Sequence, residues 1–384
     1  MMKVKLGDVC EIVSGTTPKS NCPEYWNGEL NWITPAELND DIVVVNESQR
    51  KITTKAVIDS NLRSFPAGTV LLSSRAPIGK VAIAGKEMYC NQGFKNLICS
   101  DFVYNKYLFY FLKSKVTYLN SLGRGATFKE ISKTIVENIQ INLPKKEEQY
   151  KIVHILDKIN EIIFLRQQQL KKLDELVKSR FIEMFGSFPE NSKNWKICTI
   201  KEIVSDVRYG TSRAAVDGGK YPYLRMNNIT YDGELDLTDL KYIDIPDKEL
   251  EKCTVKCGDV LFNRTNSKEL VGKTCVYNRN DTMVLAGFII RIRVNENILP
   301  VFLAMFLNMD FSKTMLKEMC KSAIGQANIN ATELQKIRII LPPIELQEEF
   351  VKFKNQTGKS KLEIKKSLDK LEILKKSLMQ EYFS

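Results

Sequence analysis

The residues of this chain best equipped for chemistry lie in loops that mix basic side chains with amides and hydroxyls. In the first half these are Thr17 and Lys19, Asn31-Trp32-Ile33-Thr34, and Ser73-Ser74-Arg75-Ala76-Pro77-Ile78-Gly79-Lys80. Asn91-Gln92-Gly93-Phe94-Lys95 and Gly123-Arg124-Gly125-Ala126-Thr127-Phe128-Lys129 complete that set. The second half offers Arg208-Tyr209-Gly210-Thr211-Ser212-Arg213, Arg225-Met226-Asn227-Asn228, Asn263-Arg264-Thr265-Asn266-Ser267-Lys268, Gly272-Lys273 and Gly325-Gln326-Ala327-Asn328. Arg and Lys suit guanine edges or phosphates, and Asn and Gln pair bidentately with adenine, so the inventory is that of major-groove reading. Any one such loop is also an ordinary solvated turn; the repeated set in a basic chain is what points to DNA.

Motifs for catalysis are missing. There is no Gly-x-Gly-x-x-Gly cofactor loop and no Gly-x-x-x-x-Gly-Lys-Ser/Thr phosphate loop. The single histidine, His154, sits in an apolar-rich helical stretch with no Ser or Cys nucleophile motif beside it, and reads as a helix-surface residue. No spaced acidic and lysine cluster of the kind that holds Mg²⁺ for phosphodiester cleavage is evident. Leu341-Pro342-Pro343-Ile344 lacks both the leading Asn or Asp and the aromatic of an amino-group methyltransferase signature. The expectation is a binding chain that catalyses nothing, with no cofactor or metal of its own.

Composition agrees with a nucleic-acid partner. Lys and Arg number 57 against 46 Asp and Glu, a formal charge of +11 that favours a polyanion. The nine cysteines are scattered, and the one close pair, Cys253 and Cys257, has no second pair or nearby histidine to complete a zinc site; reduced, mostly buried thiols are expected. No window approaches the ~20 apolar residues of a membrane span, and the N-terminal stretch has no long apolar region with a cleavage site, so a cytoplasmic protein is expected.

The elements that carry the loops occur twice. With 384 residues there is room for two domains, and the second half echoes the first at an offset of about 190 to 198 residues. Phe65-Pro66-Ala67-Gly68-Thr69-Val70-Leu71 returns as Lys256-Cys257-Gly258-Asp259-Val260-Leu261, Gly93-Phe94 as Gly287-Phe288, and Gly125 as Gly325. Each half then runs through an apolar strand into Leu-Pro, at Pro144 and at Pro342, with a glutamine five residues on: Gln149 and Gln347.

Within each half the pattern predicts short strands separated by Gly, Pro and Asn turns, with one helix, Asn105 to Ser114 or Leu299 to Leu307. After Pro144 the period becomes 3.5: Leu156, Ile163, Leu170, Val177 and Met184 recur every seven residues up to the Gly186 to Pro189 stop signal. Phe350, Ile364, Leu371 and Leu378 keep that step in the second half, with Thr357 a polar exception and Gly358 an expected weak point. The expected fold is mixed α/β: a domain at 1–145, a long helix at 146–186, a second domain at 187–343 and a second long helix at 344–384, the helices packing on each other to bury both stripes. The first helix, forty residues, would span ~60 Å.

This order of parts resembles the specificity subunits of Type I restriction-modification systems over essentially the whole chain. Individual stretches carry the likeness too: Leu6-Gly7-Asp8-Val9 leading to Ser14-Gly15-Thr16-Thr17-Pro18, then Leu72-Ser73-Ser74-Arg75-Ala76-Pro77-Ile78-Gly79, Asn91-Gln92-Gly93-Phe94, and Arg180-Phe181-Ile182-Glu183-Met184-Phe185-Gly186. The second half departs more, with Arg208-Tyr209-Gly210-Thr211 in place of the Gly-Thr-Thr-Pro loop and Asn263-Arg264-Thr265-Asn266 in place of Ser73-Ser74-Arg75. The resemblance implies two target-recognition domains, each reading one half of a bipartite site in double-stranded DNA, with the helices as an antiparallel coiled-coil spacer. It implies as partners two methyltransferase (M) subunits bringing S-adenosylmethionine and restriction (R) subunits bringing ATP and Mg²⁺ chemistry. Two alternatives stand beside it: the recognition portion of another restriction system, and a coiled-coil scaffold that binds no DNA.

Overall fold

A computed structural model describes residues 2–39, 42–125, 129–323 and 326–384. The chain forms two compact units, one made of Met1–Gln167 with Lys365–Ser384, the other of Gln168–Ile364. Both are mixed α/β.

In the first unit alternating or continuous apolar residues build a five-stranded sheet in the order Cys10–Ser14, Lys95–Cys99, Val70–Leu72, Val81–Ala84, Val44–Val45. Val70, Leu71, Leu72 and all of Val81–Ala84 are buried, as continuous apolar runs demand when both faces of a strand are covered. The helix Asn105–Ser114 covers one face with Tyr107, Leu108 and Phe111. A three-stranded sheet of Arg50–Ile52, Trp26–Ile33 and Tyr89–Cys90 lies beside it. The second unit repeats the plan with a four-stranded antiparallel sheet, Val204–Tyr209, Ile289–Val294, Val260–Asn263, Thr274–Val276, covered by the helix Pro300–Asn308. Its small sheet is Lys241–Ile243, Tyr221–Leu224, Val284–Leu285.

Each globule is closed by a two-stranded pair joining its first strand to its last. Met2–Lys5 pairs with Gln140–Leu143, and Lys196–Thr199 with Arg338–Leu341, both antiparallel. A long helix leaves each closing strand, Lys146–Phe185 and Ile344–Phe383. The second runs unbroken through Gly358, and Thr357 satisfies its hydroxyl by donating to the Phe353 carbonyl one turn back, at 3.0 Å.

Each compact unit contains the beginning of one long helix and the end of the other. In the second unit Phe181 and Phe185 pack on Phe302 and meet Phe350 of the other helix at 5.3 and 5.7 Å between ring centres. Further along, Arg180 pairs with Glu349 at 2.9 Å and Asp174 with Lys361 at 2.7 Å. Falling numbers meet rising ones, so the two segments are antiparallel there. In the first unit Ile152, Val153 and Leu156 share a core with Leu378, Met379 and Phe383.

The two glutamines do the same work. Gln149, fully buried, accepts from the Tyr104 N–H at 2.8 Å and donates to the Phe102 and Pro144 carbonyls, both at 2.9 Å. Gln347, fully buried, accepts from the Leu299 N–H at 2.9 Å and donates to the Pro342 and Asn297 carbonyls at 2.9 and 3.3 Å. One side chain thus ties the first turn of the long helix to the strand end before it and to the entry of the shorter helix. His154 is exposed on the first long helix. Cys10, Cys90, Cys198, Cys253 and Cys275 are buried, Cys257 is exposed, and all nine thiols are free.

Candidate nucleic-acid interface

In the first unit the strand Val70–Leu72 runs into a tight loop whose ends are clamped. The Ser73 N–H donates to the Lys80 carbonyl at 2.9 Å, and the Ser73 hydroxyl donates to the Pro77 carbonyl and accepts from the Lys80 N–H at 2.7 and 2.8 Å. The Ser74 N–H donates to the Gly93 carbonyl at 2.7 Å, while the Ser74 carbonyl accepts from the Ile131 N–H at 3.0 Å. Lys80 turns its ammonium onto the Pro35 carbonyl at 2.9 Å. That carbonyl belongs to a single helical turn, Pro35–Glu37, whose start is closed by Glu37 accepting from the Thr34 N–H at 2.8 Å.

The same frame stands in the second unit. The Asn263 N–H donates to the Lys273 carbonyl at 2.9 Å, the Arg264 N–H to the Phe288 carbonyl at 3.0 Å, and the Ile329 N–H to the Arg264 carbonyl at 2.9 Å. Lys273 donates to the Met226 carbonyl at 2.9 Å, again in a single turn, Met226–Asn228, where Asn228 accepts from the Arg225 N–H at 2.8 Å. Thr16 and Thr211 each donate their N–H across, to Cys90 and Leu285, at 3.0 and 2.7 Å. These bonds correct one detail of the sequence comparison. Gly93 corresponds to Phe288 rather than to Gly287, because those two carbonyls receive the equivalent N–H groups of Ser74 and Arg264.

The frame divides the expected site residues in two. Trp32, Ser73, Ser74, Lys95, Thr211, Asn228, Asn263, Thr265 and Lys273 are buried. Their polar groups turn inward, so they shape the loops from beneath. Trp32 donates to the Thr16 carbonyl at 3.1 Å, and Thr265 to the Asn328 side chain at 3.0 Å. Burial also lowers the Lys273 pKa.

Thr17, Lys19, Gln92, Arg124, Lys129, Arg208, Tyr209, Ser212, Arg213, Asn227 and Asn328 are exposed, and Thr34, Arg75, Lys80, Asn91, Arg225, Arg264 and Asn266 are half-exposed. The structure brings Thr17 and Gln92 together by a hydroxyl-to-amide hydrogen bond, and orders the Asn91 turn by the Gly93 N–H donating to Asn91 Oδ1 at 2.9 Å. Thr127 and the Gln326 side chain lie outside the described residues.

The sequence reading missed the acids and aromatics that hold these groups. Glu130 lies 3.2 Å from the Lys95 ammonium and 3.9 Å from Arg75. Arg213 pairs with Glu249 and Arg225 with Asp239, at 2.8 and 2.7 Å. Arg50 lies 3.8 Å over the Trp26 ring, which meets Trp32 edge-on at 5.1 Å. Such partners come from distant loops, and nothing in local spacing announces them. Arg264 differs: its guanidinium lies over the Tyr209 ring at 4.8 Å. What the exposed groups offer is a set of donors and acceptors on fixed backbone, suited to base edges and phosphates.

Residues 1–175 and 192–374 match the family described as the Type I restriction modification DNA specificity domain. The specificity subunit of the Type I restriction enzyme MjaIX from Methanocaldococcus jannaschii is 39% identical over 196 residues, 50% of this chain and 43% of that one. The putative MjaX subunit of the same organism is 30% identical over 58% of this chain and 50% of its own. The chain thus spans about half the length of these two curated relatives. The MjaVIII specificity subunit is 26% identical over 98% of this chain and 90% of its own. A structure of a Type I restriction-modification assembly superposes with a TM-score of 0.67 at 18% identity, covering 99% of this chain and 97% of that one. The S subunit from M. genitalium gives 0.54 at 16%, covering 100% and 96%. At those identities the likeness is one of fold.

Proposed function

The chain belongs to the family of the Type I restriction modification DNA specificity domain, and on that basis we propose that each unit reads one half of a bipartite DNA site and that the chain addresses a methyltransferase and restriction complex without catalysing either reaction. The observation that carries this reading is a duplicated frame bearing different side chains. The same backbone bonds recur at Ser74 and Arg264 and at Lys80 and Lys273, while the exposed groups around them differ. A shared scaffold with divergent donors is what two readers of two unlike half-sites require.

In this reading the partners are double-stranded DNA, two methyltransferase subunits carrying S-adenosylmethionine, and restriction subunits carrying ATP and Mg²⁺ chemistry. Among the described residues no group of three or more His, Cys, Asp or Glu is placed to hold a metal ion, and no helix is long and apolar enough to cross a membrane. The cytoplasm, where host DNA lies, is the proposed location, and the paired long helices are the proposed spacer. Incubating the purified chain with duplex, labelled S-adenosylmethionine and ATP tests the division of labour. Salt-dependent duplex binding without turnover is expected. Methylation, cleavage or ATP hydrolysis that persists through repurification would overturn it.

A further inference from the structure

Tyr209 stands opposite Ile290 where the strand Val204–Tyr209 ends, and Asn263 opposite Ile289 where Val260–Asn263 ends. One step beyond, the Arg264 N–H donates to the Phe288 carbonyl. Phe288 lies in the turn before the strand Ile289–Val294 and Arg264 directly follows Val260–Asn263, so this bond, with the Arg264 guanidinium over the Tyr209 ring, gathers the three residues at the end of the sheet. Ile290 is buried in the core, whereas Tyr209 is 41% and Phe288 51% exposed. The end of the sheet therefore reaches solvent at Tyr209 and Phe288.

The first unit fills the equivalent places otherwise. Ser14 pairs with Lys95 as Tyr209 pairs with Ile290, and Ser74 faces Gly93 as Arg264 faces Phe288. There the cation is Lys95, 7% exposed and neutralised by Glu130 at 3.2 Å. In the second unit the cation has moved to Arg264, and the place of Glu130, opposite Arg75, is taken by Asn328, opposite Thr265. No acidic side chain among the described residues pairs with Arg264, and its buried Nε has no hydrogen-bond partner. Its guanidinium rests on Tyr209, whose own hydroxyl is pinned by accepting from the Ala331 N–H at 2.7 Å. A cation with no counter-charge, held over a fixed ring beside an exposed aromatic, is matched by a base edge and a base face.

We propose that the second unit reads its half-site through this platform, with Arg264 contacting a base edge and Phe288 stacking on an unstacked neighbouring base, a device the first unit lacks. The proposal rests on the two-reader function above and specifies how one reader works. The test uses the full chain assembled with its methyltransferase subunits and fluorescence anisotropy on three duplexes: the mapped site, that site with the second half scrambled, and one with both halves scrambled. Phe288→Ala should weaken binding to the mapped site about five- to 150-fold, the change expected for a base–aromatic stack, Tyr209→Ala should weaken it by releasing the Arg264 guanidinium, and both should leave binding to the second-half-scrambled duplex unchanged. Tyr209→Phe, which keeps the ring, should retain most of the affinity. Both positions are substantially exposed, and the urea midpoint of Trp195, read by fluorine NMR of the 5-fluorotryptophan protein, confirms folding of each variant. Phe288→Ala binding within twofold of wild type, equal losses on all three duplexes, or full affinity in Phe288→Leu would overturn the platform. A wild-type complex that fails to distinguish the mapped from the doubly scrambled duplex would instead overturn the two-reader function itself.

Discussion

Replacing Gln347 by alanine should destabilise the second unit selectively. The side chain is fully buried and serves three backbone groups: the Leu299 N–H, and the Pro342 and Asn297 carbonyls. Alanine leaves all three without their partner, the Pro342 carbonyl in a fully buried place and the other two in part-buried ones. An unmet buried donor or acceptor costs about 1–3 kcal/mol, and the 3.3 Å bond to Asn297 belongs at the weak end. The expected loss is about 3–5 kcal/mol. With a urea slope of about 2–3 kcal/mol/M for a unit of this size, the midpoint should fall by about 1–2.5 M. Fluorine NMR of the 5-fluorotryptophan protein separates the units, because Trp195 lies in the second and Trp26 and Trp32 in the first. Gln347→Ala should shift the Trp195 transition and spare the other two; Gln149→Ala should do the reverse. A shift under about 0.3 M at Trp195, or equal shifts at all three, would refute the claim that each glutamine anchors its own helix.

Phe350→Ala, which empties a fully buried site between Phe181 and Phe185, should cost the second unit about 3–5 kcal/mol by the same measurement. Lys313 is buried, donates to Gly272 and Asn308, and has its pKa pulled by burial from 10.5 to about 7. The unfolded chain thus binds a proton that the native one gives up between those values. The stability read at Trp195 should rise with pH from about 7 to 9, by about 1 kcal/mol per pH unit, and Lys313→Met should flatten the slope. A midpoint that falls across that window would contradict the assignment. Arg124→Ala and Lys129→Ala, at exposed cations, should each reduce the log–log salt slope of duplex binding by about 0.9 without altering the recognised motif.

The repeat, the long helices and the glutamine anchors were legible in the sequence because each leaves a local mark: Leu-Pro, a glutamine at fixed distance, and an apolar step of seven. Which loop residues face outward was not. Asn263 and Gln92 look alike as polar turn residues, yet one is fully buried under its loop and the other is exposed. The difference lies in partners far along the chain, as with Lys95 and Glu130. Phe288 escaped for another reason: the string Gly-Phe invited matching Gly287-Phe288 to Gly93-Phe94, hiding that an aromatic replaces Gly93. Only the carbonyl that each loop N–H reaches reveals the register.

Whether the two units read two half-sites independently can be seen in methylation mapping of a host genome. The host would carry this chain with its partner subunits as wild type, as Arg75→Ala with Gln92→Ala, or as Arg264→Ala with Asn266→Ala. One bipartite motif is expected in wild type, relaxed in one half only by the first pair and in the other half only by the second. Each lost bidentate contact is worth about 1–3 kcal/mol of discrimination. Either pair altering both halves alike, or a wild-type motif that is not bipartite, would contradict it.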